Sequence, residues 1–346
     1  MKEKKRSSNY LIWTIISSLL AILTIRAVLK QSEDISIGDL MVAIGSSDKG
    51  FFVLAAVATA LYMWFEGIAI RSILKKSGYG RSSVKGLLYA ASDIYFSAIT
   101  PSATGGQPAS AFFMIRDGIP TGIATATLVL NLTMYTISLI VLGIIAVVIS
   151  PTAFAEFSRF SQFLISLGFI TLSILTLVFF VLMKNEELIF KPLSKTISFL
   201  YDKKLIKEKE RKLSRIEKIS NDYKMCSDMI SARKSVLFSA FLWNLLQRAS
   251  QLLVPMFIFA SLGGDKFKWA EVFSKQCLIT VAYNFIPIPG GMGISDYLMI
   301  DGFSRVMGEQ TAYTVEMISR GITFYLCVSV SGIITLIGYF AGKVRR

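Results

Sequence analysis

The chain contains no histidine and three cysteines, and its 23 acidic residues are outnumbered by 37 basic ones. The lack of histidine removes the commonest general base, metal ligand and neutral-pH switch from the chemistry available to the protein. Cys226, Cys277 and Cys327 follow no spacing typical of a disulfide or metal site, and the last two fall in apolar stretches. The sequence therefore predicts neither a disulfide framework nor a metal or other cofactor.

Long apolar runs, in contrast, are abundant. The 346 residues are 53% hydrophobic, with a mean hydropathy of +0.57. About 20 apolar residues are enough to cross a hydrocarbon core of ~30 Å. The stretches that meet this requirement lie at 9–29, 51–72, 121–149, 160–183, 236–262 and 314–341. We therefore predict an all-α, polytopic membrane protein with about six transmembrane helices. The first stretch follows a basic start but lacks a small-residue cleavage site, so we expect it to be retained as a helix.

A formal charge of +14 by itself would be compatible with nucleic-acid binding. The positions of the charges along the chain favour a different interpretation. If the N-terminus is cytoplasmic, the inner segments hold 27 of the 37 Lys and Arg residues; these segments are 1–8, 71–85, 112–120, 184–235 and 342–346. This bias predicts cytoplasmic N- and C-termini in the cell (inner) membrane. The same charges would attract anionic headgroups, which we favour over nucleic-acid binding.

Two further apolar stretches, at 86–115 and 270–303, are interrupted by Gly and Pro. The loops on both sides of the first must be cytoplasmic if the basic segment 184–235 is cytoplasmic too, so the first stretch should enter from the cytoplasm and return as a re-entrant hairpin at about 86–116. The second should do the same from the outside, at about 270–303. The alternative, tight connections between complete spans, stays open. The predicted turn residues are Thr100, Pro101, Gly105, Gly106 and Pro108 in the first hairpin and Pro287, Pro289, Gly290, Gly291 and Gly293 in the second.

The two halves of the chain resemble each other. Superposing Gly106 on Gly291 also aligns Gly78 with Gly263, and the order span, span, hairpin, span occurs twice with opposite orientation. We therefore predict an inverted repeat. Its parts are a first repeat at 1–183, a basic cytoplasmic connector at 184–235 and a second repeat core at 236–346, with span 160–183 belonging structurally to the second repeat.

Broken backbone at membrane depth requires a polar interior, because unpaired peptide groups are costly in hydrocarbon. The helix that restarts after each turn directs free N–H groups inward, where they attract anions. Opposed broken elements in corresponding positions of two halves are typical of a transporter site.

The turn residues also carry a family resemblance. The first turn contains Thr100-Pro101 and the run Gly105 to Pro108; the second contains the run Pro287 to Asp296, and Arg320 lies on the last span. Together they resemble the flippase-like family, which includes the membrane half of the lysylphosphatidylglycerol synthases of multiple peptide resistance. The resemblance covers nearly the whole chain and implies lipid translocation, with a connection to antibiotic resistance.

Three departures qualify what the resemblance implies. Asp296 stands where family members usually carry Glu, and Asn131 where many carry Arg. The chain ends at Arg346, without the cytosolic aminoacyl-transferase domain of the synthases. We therefore expect translocation of an anionic or aminoacylated phospholipid, such as lysyl- or alanyl-phosphatidylglycerol, or of a lipid-linked substrate, without synthesis.

Other hypotheses about the function remain open. The chain could be a membrane-embedded lipid transferase of the phosphatidylglycerol lysyltransferase type, or the membrane partner of a separate synthase. We favour a transporter over an enzyme and predict no catalytic residue. The expected partners are membrane lipids, with a homo-oligomer or a separate lipid synthase as further options and no nucleic acid.

Charged and amide side chains within the spans are the candidate site residues. Asn244, Gln247, Arg248 and Gln251 share one face of a helix at i, i+3, i+4 and i+7 spacing. Arg248 and Arg320 could hold a lipid phosphate. They could equally form ion pairs with carboxylates of the spans, for which the candidates are Glu66, Asp93, Asp296 and Glu316.

Each of the remaining polar residues has two possible roles. Glu66, Asp93 and Glu316 could exchange protons or serve as fixed counter-ions. Hydrogen-bonding residues around the turns could contact substrate or cap freed backbone groups; they are Thr100, Ser102, Thr104, Gln107, Tyr283, Asn284 and Ser295.

Overall fold

The computed structural model describes residues 37–100, 104–203, 208–286, 288, 291 and 293–344. Within these ranges the secondary structure is helical and contains no strand, so the all-α prediction is confirmed. The predicted first span at 9–29 lies outside the described residues. The same holds for five predicted turn and hydrogen-bonding positions, Pro101, Ser102, Pro287, Pro289 and Gly290.

The helices of the described ranges follow one another with short connections. In chain order they are α1 (Ile37–Ser46), α2 (Lys49–Lys76), α3 (Ser83–Ile99), α4 (Gly106–Arg116), α5 (Thr121–Ile149), α6 (Arg159–Lys184), α7 (Glu187–Asp202), α8 (Lys209–Ser231), α9 (Lys234–Leu252), α10 (Val254–Ser261), α11 (Trp269–Tyr283), α12 (Ile294–Met307), α13 (Glu309–Arg320) and α14 (Cys327–Val344). A short 3₁₀ turn at Lys266–Lys268 precedes α11, and a π-helical segment at Gly321–Leu326 joins α13 to α14.

Four helical stretches of the described residues are long and apolar enough to cross a membrane. They are Lys49–Lys76, Thr121–Ile149, Arg159–Lys184 and the continuous stretch Glu309–Ala341. They coincide with four of the predicted spans. A multi-pass membrane protein is thereby confirmed, while the number of crossings stays a prediction.

The predicted span 236–262 is divided into α9 and α10. Pro255 lies in the first turn of α10, where the missing N–H removes a hydrogen bond to the preceding turn. The helical path continues through Leu253, whose N–H donates to the carbonyl of Ala249 at 3.0 Å. The interruption of the helical hydrogen bonds is therefore confined to the junction between α9 and α10.

Each interrupted stretch forms a pair of packed helices, α3 with α4 and α11 with α12. In the first pair the Thr100 hydroxyl accepts the N–H of Gly105 at 2.9 Å and so ties the turn together. A Cβ on Gly106 would overlap the side chains of Asp93 and Ser97, so only glycine allows this approach of α4 to α3. In the second pair Gly291 and Gly293 have φ of +65° and +81°, which favour glycine.

Two apolar cores surround the two helix pairs. The first core packs α2, α3, α4, α5 and α8 together, with Ile73, Tyr89, Met114 and Leu130 fully buried. The second packs the ends of α5 and α6 with α10, α11, α12 and α13, and includes Ile258, Cys277, Leu298 and Phe303. The cores hold each helix pair in place relative to the long spans.

The connection between α5 and α6 binds the second helix pair through a buried cation. Lys275 of α11 is completely buried and lies 2.5 Å from a Glu156 oxygen and 3.1 Å from a Glu271 oxygen. The hydrogen bond from Lys275 lowers the pKa of the Glu156 carboxyl.

Candidate functional site

A cavity of about 510 Å³ lies between the first helix pair and the turn of the second. Its polar wall carries side chains from α2, α3, α4, α5, α9 and the end of α11, and its apolar wall carries side chains from α5, α6, the π-helical segment and α14. The polar lining is Tyr62, Glu66, Asp93, Ser97, Gln107, Asn131, Tyr135, Gln247, Arg248, Gln251, Tyr283 and Asn284. The apolar lining includes Leu132, Leu172, Leu175, Phe179, Phe324 and Val328.

Arg248 is the cation of the cavity wall, and it is 9% exposed. Its guanidinium carbon lies 3.9 Å from the ring centre of Tyr135 and 5.2 Å from that of Tyr62. The guanidinium also donates to the side-chain oxygen of Gln251 at 2.7 Å. Its Nε is buried without a hydrogen-bond partner in the described part of the chain. Arg248 is thus held by aromatic faces and retains donor capacity for a ligand.

Two buried carboxylates face the same cavity. Glu66 accepts a hydrogen bond from the Gln247 amide at 3.0 Å. Asp93 accepts one from the Gln107 amide at 2.7 Å and one from the Ser97 hydroxyl at 3.0 Å. Among the described residues, neither carboxylate forms a salt bridge with Arg248. The carboxylates are therefore oriented by neutral amides, and the charge of Arg248 also acts on both of them.

The amides that orient the carboxylates have unused acceptors. Gln107 Oε1 and Gln247 Oε1 are buried and have no partner in the described residues. A buried polar atom without a partner is costly, and in a cavity wall it marks a position that a ligand donor or water can satisfy. The arrangement suits a headgroup with several hydrogen-bonding groups.

The other predicted amides have different neighbours. Asn244 is fully buried behind the cavity wall and donates to Asn131 at 2.9 Å. Asn284 lines the cavity and donates to the Tyr135 hydroxyl at 2.7 Å. Asn131 of α5 and Asn244 of α9 thus pair two helices through neutral amides.

Arg320 belongs to a second charged cluster and does not line the cavity. It forms salt bridges with Asp296 and with Glu316, the latter at 3.0 Å, and it donates to the Ser295 hydroxyl. Asp296 also accepts the N–H of Gly293 at 2.7 Å. The ion-pair alternative is therefore realised in this structure for Arg320, whereas Arg248 faces the cavity.

Some of the predicted turn residues lie at the cavity and others do not. Gly291 and Gln107 line the cavity, and Gly106 supports the Asp93 carboxylate from behind. Thr104 and Pro108 are exposed, and neither lines the cavity. Thr100 and Gly105 bond to each other within the turn.

Sequence reasoning missed the aromatic support and the apolar wall. Tyr62 and Tyr135 lie on separate spans, and only the rule that an intramembrane arginine needs a partner could have directed attention to them. Leu175 and Phe179 cannot be told from lipid-facing residues by pattern alone, since both environments are apolar.

Comparisons with known proteins agree with this architecture. The family described as the lysylphosphatidylglycerol synthase TM region matches residues 12–331. A UPF0104 membrane protein from Pyrococcus horikoshii is 23% identical over 295 residues, which cover 84% of this chain and 88% of the relative. The resemblance stated from the turn residues is confirmed: the chain belongs to the lysylphosphatidylglycerol synthase transmembrane-region family, a family of membrane proteins in lipid metabolism or transport.

Proposed function

We propose that this protein moves a phospholipid with an anionic or aminoacylated headgroup between the two leaflets, and that the headgroup enters the cavity around Arg248. The single observation that carries the proposal is a cavity of about 510 Å³ with one buried guanidinium and two buried carboxylates in its wall. Charges inside a membrane protein are costly and are typical of substrate pathways.

The charges favour a headgroup that carries both signs. The Nε of Arg248 can donate to a phosphate oxygen. Glu66 and Asp93 can accept from an ammonium group, which a purely anionic headgroup lacks. An aminoacylated phosphatidylglycerol, such as its lysyl or alanyl ester, supplies a phosphate and an amine together. We therefore rank it above unmodified phosphatidylglycerol as substrate.

The apolar wall supports a lipid over a soluble metabolite. Leu172, Leu175 and Phe179 extend from α6, whose neighbouring side chains Ile174 and Leu177 are 55% and 65% exposed. In a bilayer, such exposed apolar side chains contact acyl chains. A headgroup in the cavity could thus remain attached to tails that stay in hydrocarbon.

The inverted repeat and the re-entrant hairpins belong to the same proposal. The offset that superposes Gly106 on Gly291 also carries the start of α2 onto the start of α9 and the end of α2 onto the end of α10. Gly78 and Gly263, which follow these ends, have φ of +82° and +79°. In addition, α5 packs on α11 as α14 packs on α3, so each half supplies a helix to the other. These correspondences support an alternating-access transporter.

We place the N- and C-termini in the cytoplasm and the chain in the cell membrane because of the positions of the basic residues. A homo-oligomer and a separate lipid synthase remain predicted partners.

The proposal is tested by reconstituting the full chain in liposomes that contain trace fluorescent lysyl-, alanyl- or unmodified phosphatidylglycerol and following the lipid accessible outside. We expect redistribution faster than in empty liposomes, and Arg248→Ala should reduce it about tenfold or more because a charge-assisted contact is lost. The matched control is Arg305→Ala, since Arg305 is exposed on α12.

Two outcomes would contradict the proposal. If no tested lipid redistributes faster than in empty liposomes, the substrate class is wrong. If the isolated chain instead consumes an activated aminoacyl donor and modifies the lipid, the transferase alternative is favoured.

A further inference from the structure

The cluster around Arg320 contains two carboxyl groups and one guanidinium. Asp296 of α12 and Glu316 of α13 both form salt bridges with that guanidinium. The side chains of Arg320 and Glu316 are 12% and 8% exposed, and that of Asp296 is 25% exposed. Tyr283 of α11 and Tyr325 of the π-helical segment also interact with the charges of this cluster. Neither tyrosine supplies a cation.

The two carboxyl groups also share one nitrogen. An oxygen of Asp296 and an oxygen of Glu316 both lie within salt-bridge distance of Arg320 Nε. Two carboxylates that share a site resist full ionisation, because their like charges repel each other. The geometry therefore fits one proton held by the pair.

The cluster lies within a predicted span but is not sealed by protein. Arg320 lies eleven residues after the start of α13 at Glu309, which is about 16 Å along a helix at 1.5 Å per residue. The Asp296 side chain is nevertheless 25% exposed, and a proton-binding site at this depth requires such an opening.

The cluster is also linked to the substrate cavity through the turn of the second helix pair. Asp296 accepts the N–H of Gly293, and Gly291 in the same turn lines the cavity. Ser295, next to Asp296, accepts a hydrogen bond from Arg320. The charge of the Asp296–Glu316 pair thus acts on the contacts that tie the start of α12 to the end of α13.

We propose that Asp296 and Glu316 form a proton-binding site that couples proton movement to lipid movement through the turn at Gly291–Gly293. One proton binds to the carboxyl pair and leaves it again. Proton binding neutralises a carboxylate that Arg320 holds and loosens the tie between α12 and α13. The inference rests on the proposed lipid transport.

The experiment uses the full chain in phosphatidylethanolamine–phosphatidylglycerol liposomes with trace fluorescent lysyl-phosphatidylglycerol and a trapped pH dye. With one proton per lipid, each pH unit of gradient should shift the steady-state transbilayer ratio by about tenfold. Asp296→Asn and Glu316→Gln should retain downhill exchange and lose this response. Asp296→Glu keeps a carboxyl group and should retain the response to the pH gradient. Glu309→Gln should also retain it, because Glu309 is an exposed acid on α13, the helix that carries Glu316.

The outcomes separate this inference from the proposed function. Wild-type protein that redistributes the lipid at a ratio independent of the pH gradient, with no change in the dye, overturns the proton site and leaves lipid transport standing. No redistribution at all contradicts the proposed function itself. The wild-type measurement decides between these cases even if the Asn and Gln variants fail to fold. If they do fold, an unchanged pH response in both also overturns the assignment.

Discussion

At the scale of single residues, the protein holds an intramembrane arginine that interacts with the charges of Glu66 and Asp93 but forms no salt bridge in the described structure. The guanidinium of Arg248 lies 3.9 Å from the ring centre of Tyr135, and such a contact contributes about 2 kcal/mol or more when it is shielded from water. The aromatic contact stabilises the charge without using all of its hydrogen-bond donors. An arginine held in this way remains able to bind an anion.

This arrangement predicts a difference between two substitutions at one position. Tyr135→Leu removes the ring face and should reduce lipid transport several-fold, because the guanidinium is no longer positioned. Tyr135→Phe keeps the ring and loses only the hydroxyl that accepts from Asn284, so transport should stay within about twofold of wild type. Initial rates in proteoliposomes test the pair, with thermal unfolding in detergent as a check on folding. Equal loss in both variants would argue against a role of the ring face.

At the scale of helices, glycines determine how closely neighbouring elements approach. A Cβ on Gly67 would lie 2.9 Å from the backbone of Gly86, so α2 and α3 touch through their main chains. Gly106 allows the same kind of approach between α4 and α3, directly behind the Asp93 carboxylate. The position of the Asp93 carboxylate in the cavity wall therefore depends on Gly106, which does not itself line the cavity.

Gly106→Ala should accordingly displace the Asp93 carboxylate from its position in the cavity wall. The added methyl group would overlap Asp93 and Ser97, and overpacking of this kind costs about 1–3 kcal/mol. We expect a lower unfolding temperature in detergent together with slower lipid transport. Gly45→Ala is the matched control, because a Cβ at Gly45 meets nothing within 4 Å. Wild-type stability and transport in the Gly106 variant would contradict this account of the first turn.

At the scale of the whole molecule, the proposal depends on which connections share a side of the membrane. In a re-entrant arrangement, the connection between α2 and α3 and the one between α4 and α5 are both cytoplasmic. The connections on either side of the second helix pair are then both outside. A single complete crossing by each pair would instead place its two connections on opposite sides.

Cysteine accessibility distinguishes these topologies. In a background without the three native cysteines, which are buried, single cysteines replace Gly80 and Thr121 around the first helix pair and Phe267 and Glu309 around the second. A membrane-impermeant maleimide should label positions 267 and 309 in intact cells. Positions 80 and 121 should react only after the membrane is opened. If 80 and 121 are labelled from different sides, the first pair is a complete crossing and the re-entrant proposal fails.

The sequence by itself determined the helical membrane architecture and the family. Apolar length predicts a span from local composition alone, and the runs at 121–149 and 160–183 reappear as α5 and α6 within a residue at each end. Gly and Pro act on their own backbone, so the interruption near Gly106 could also be found without knowing any neighbour. The spacing from Asn244 to Gln251 fixed a polar helix face for the same reason.

Only the tertiary structure decided what that face and the other charges contact. Arg248 and Arg320 are the same kind of residue in the sequence, yet one stacks on Tyr135 in a cavity and the other is held by Asp296 and Glu316. Lys275 is completely buried and pairs with Glu156 of the connection between α5 and α6 and with Glu271 of its own helix. These outcomes depend on how helices distant in the chain pack together, and local pattern carries no information about the partner of a side chain.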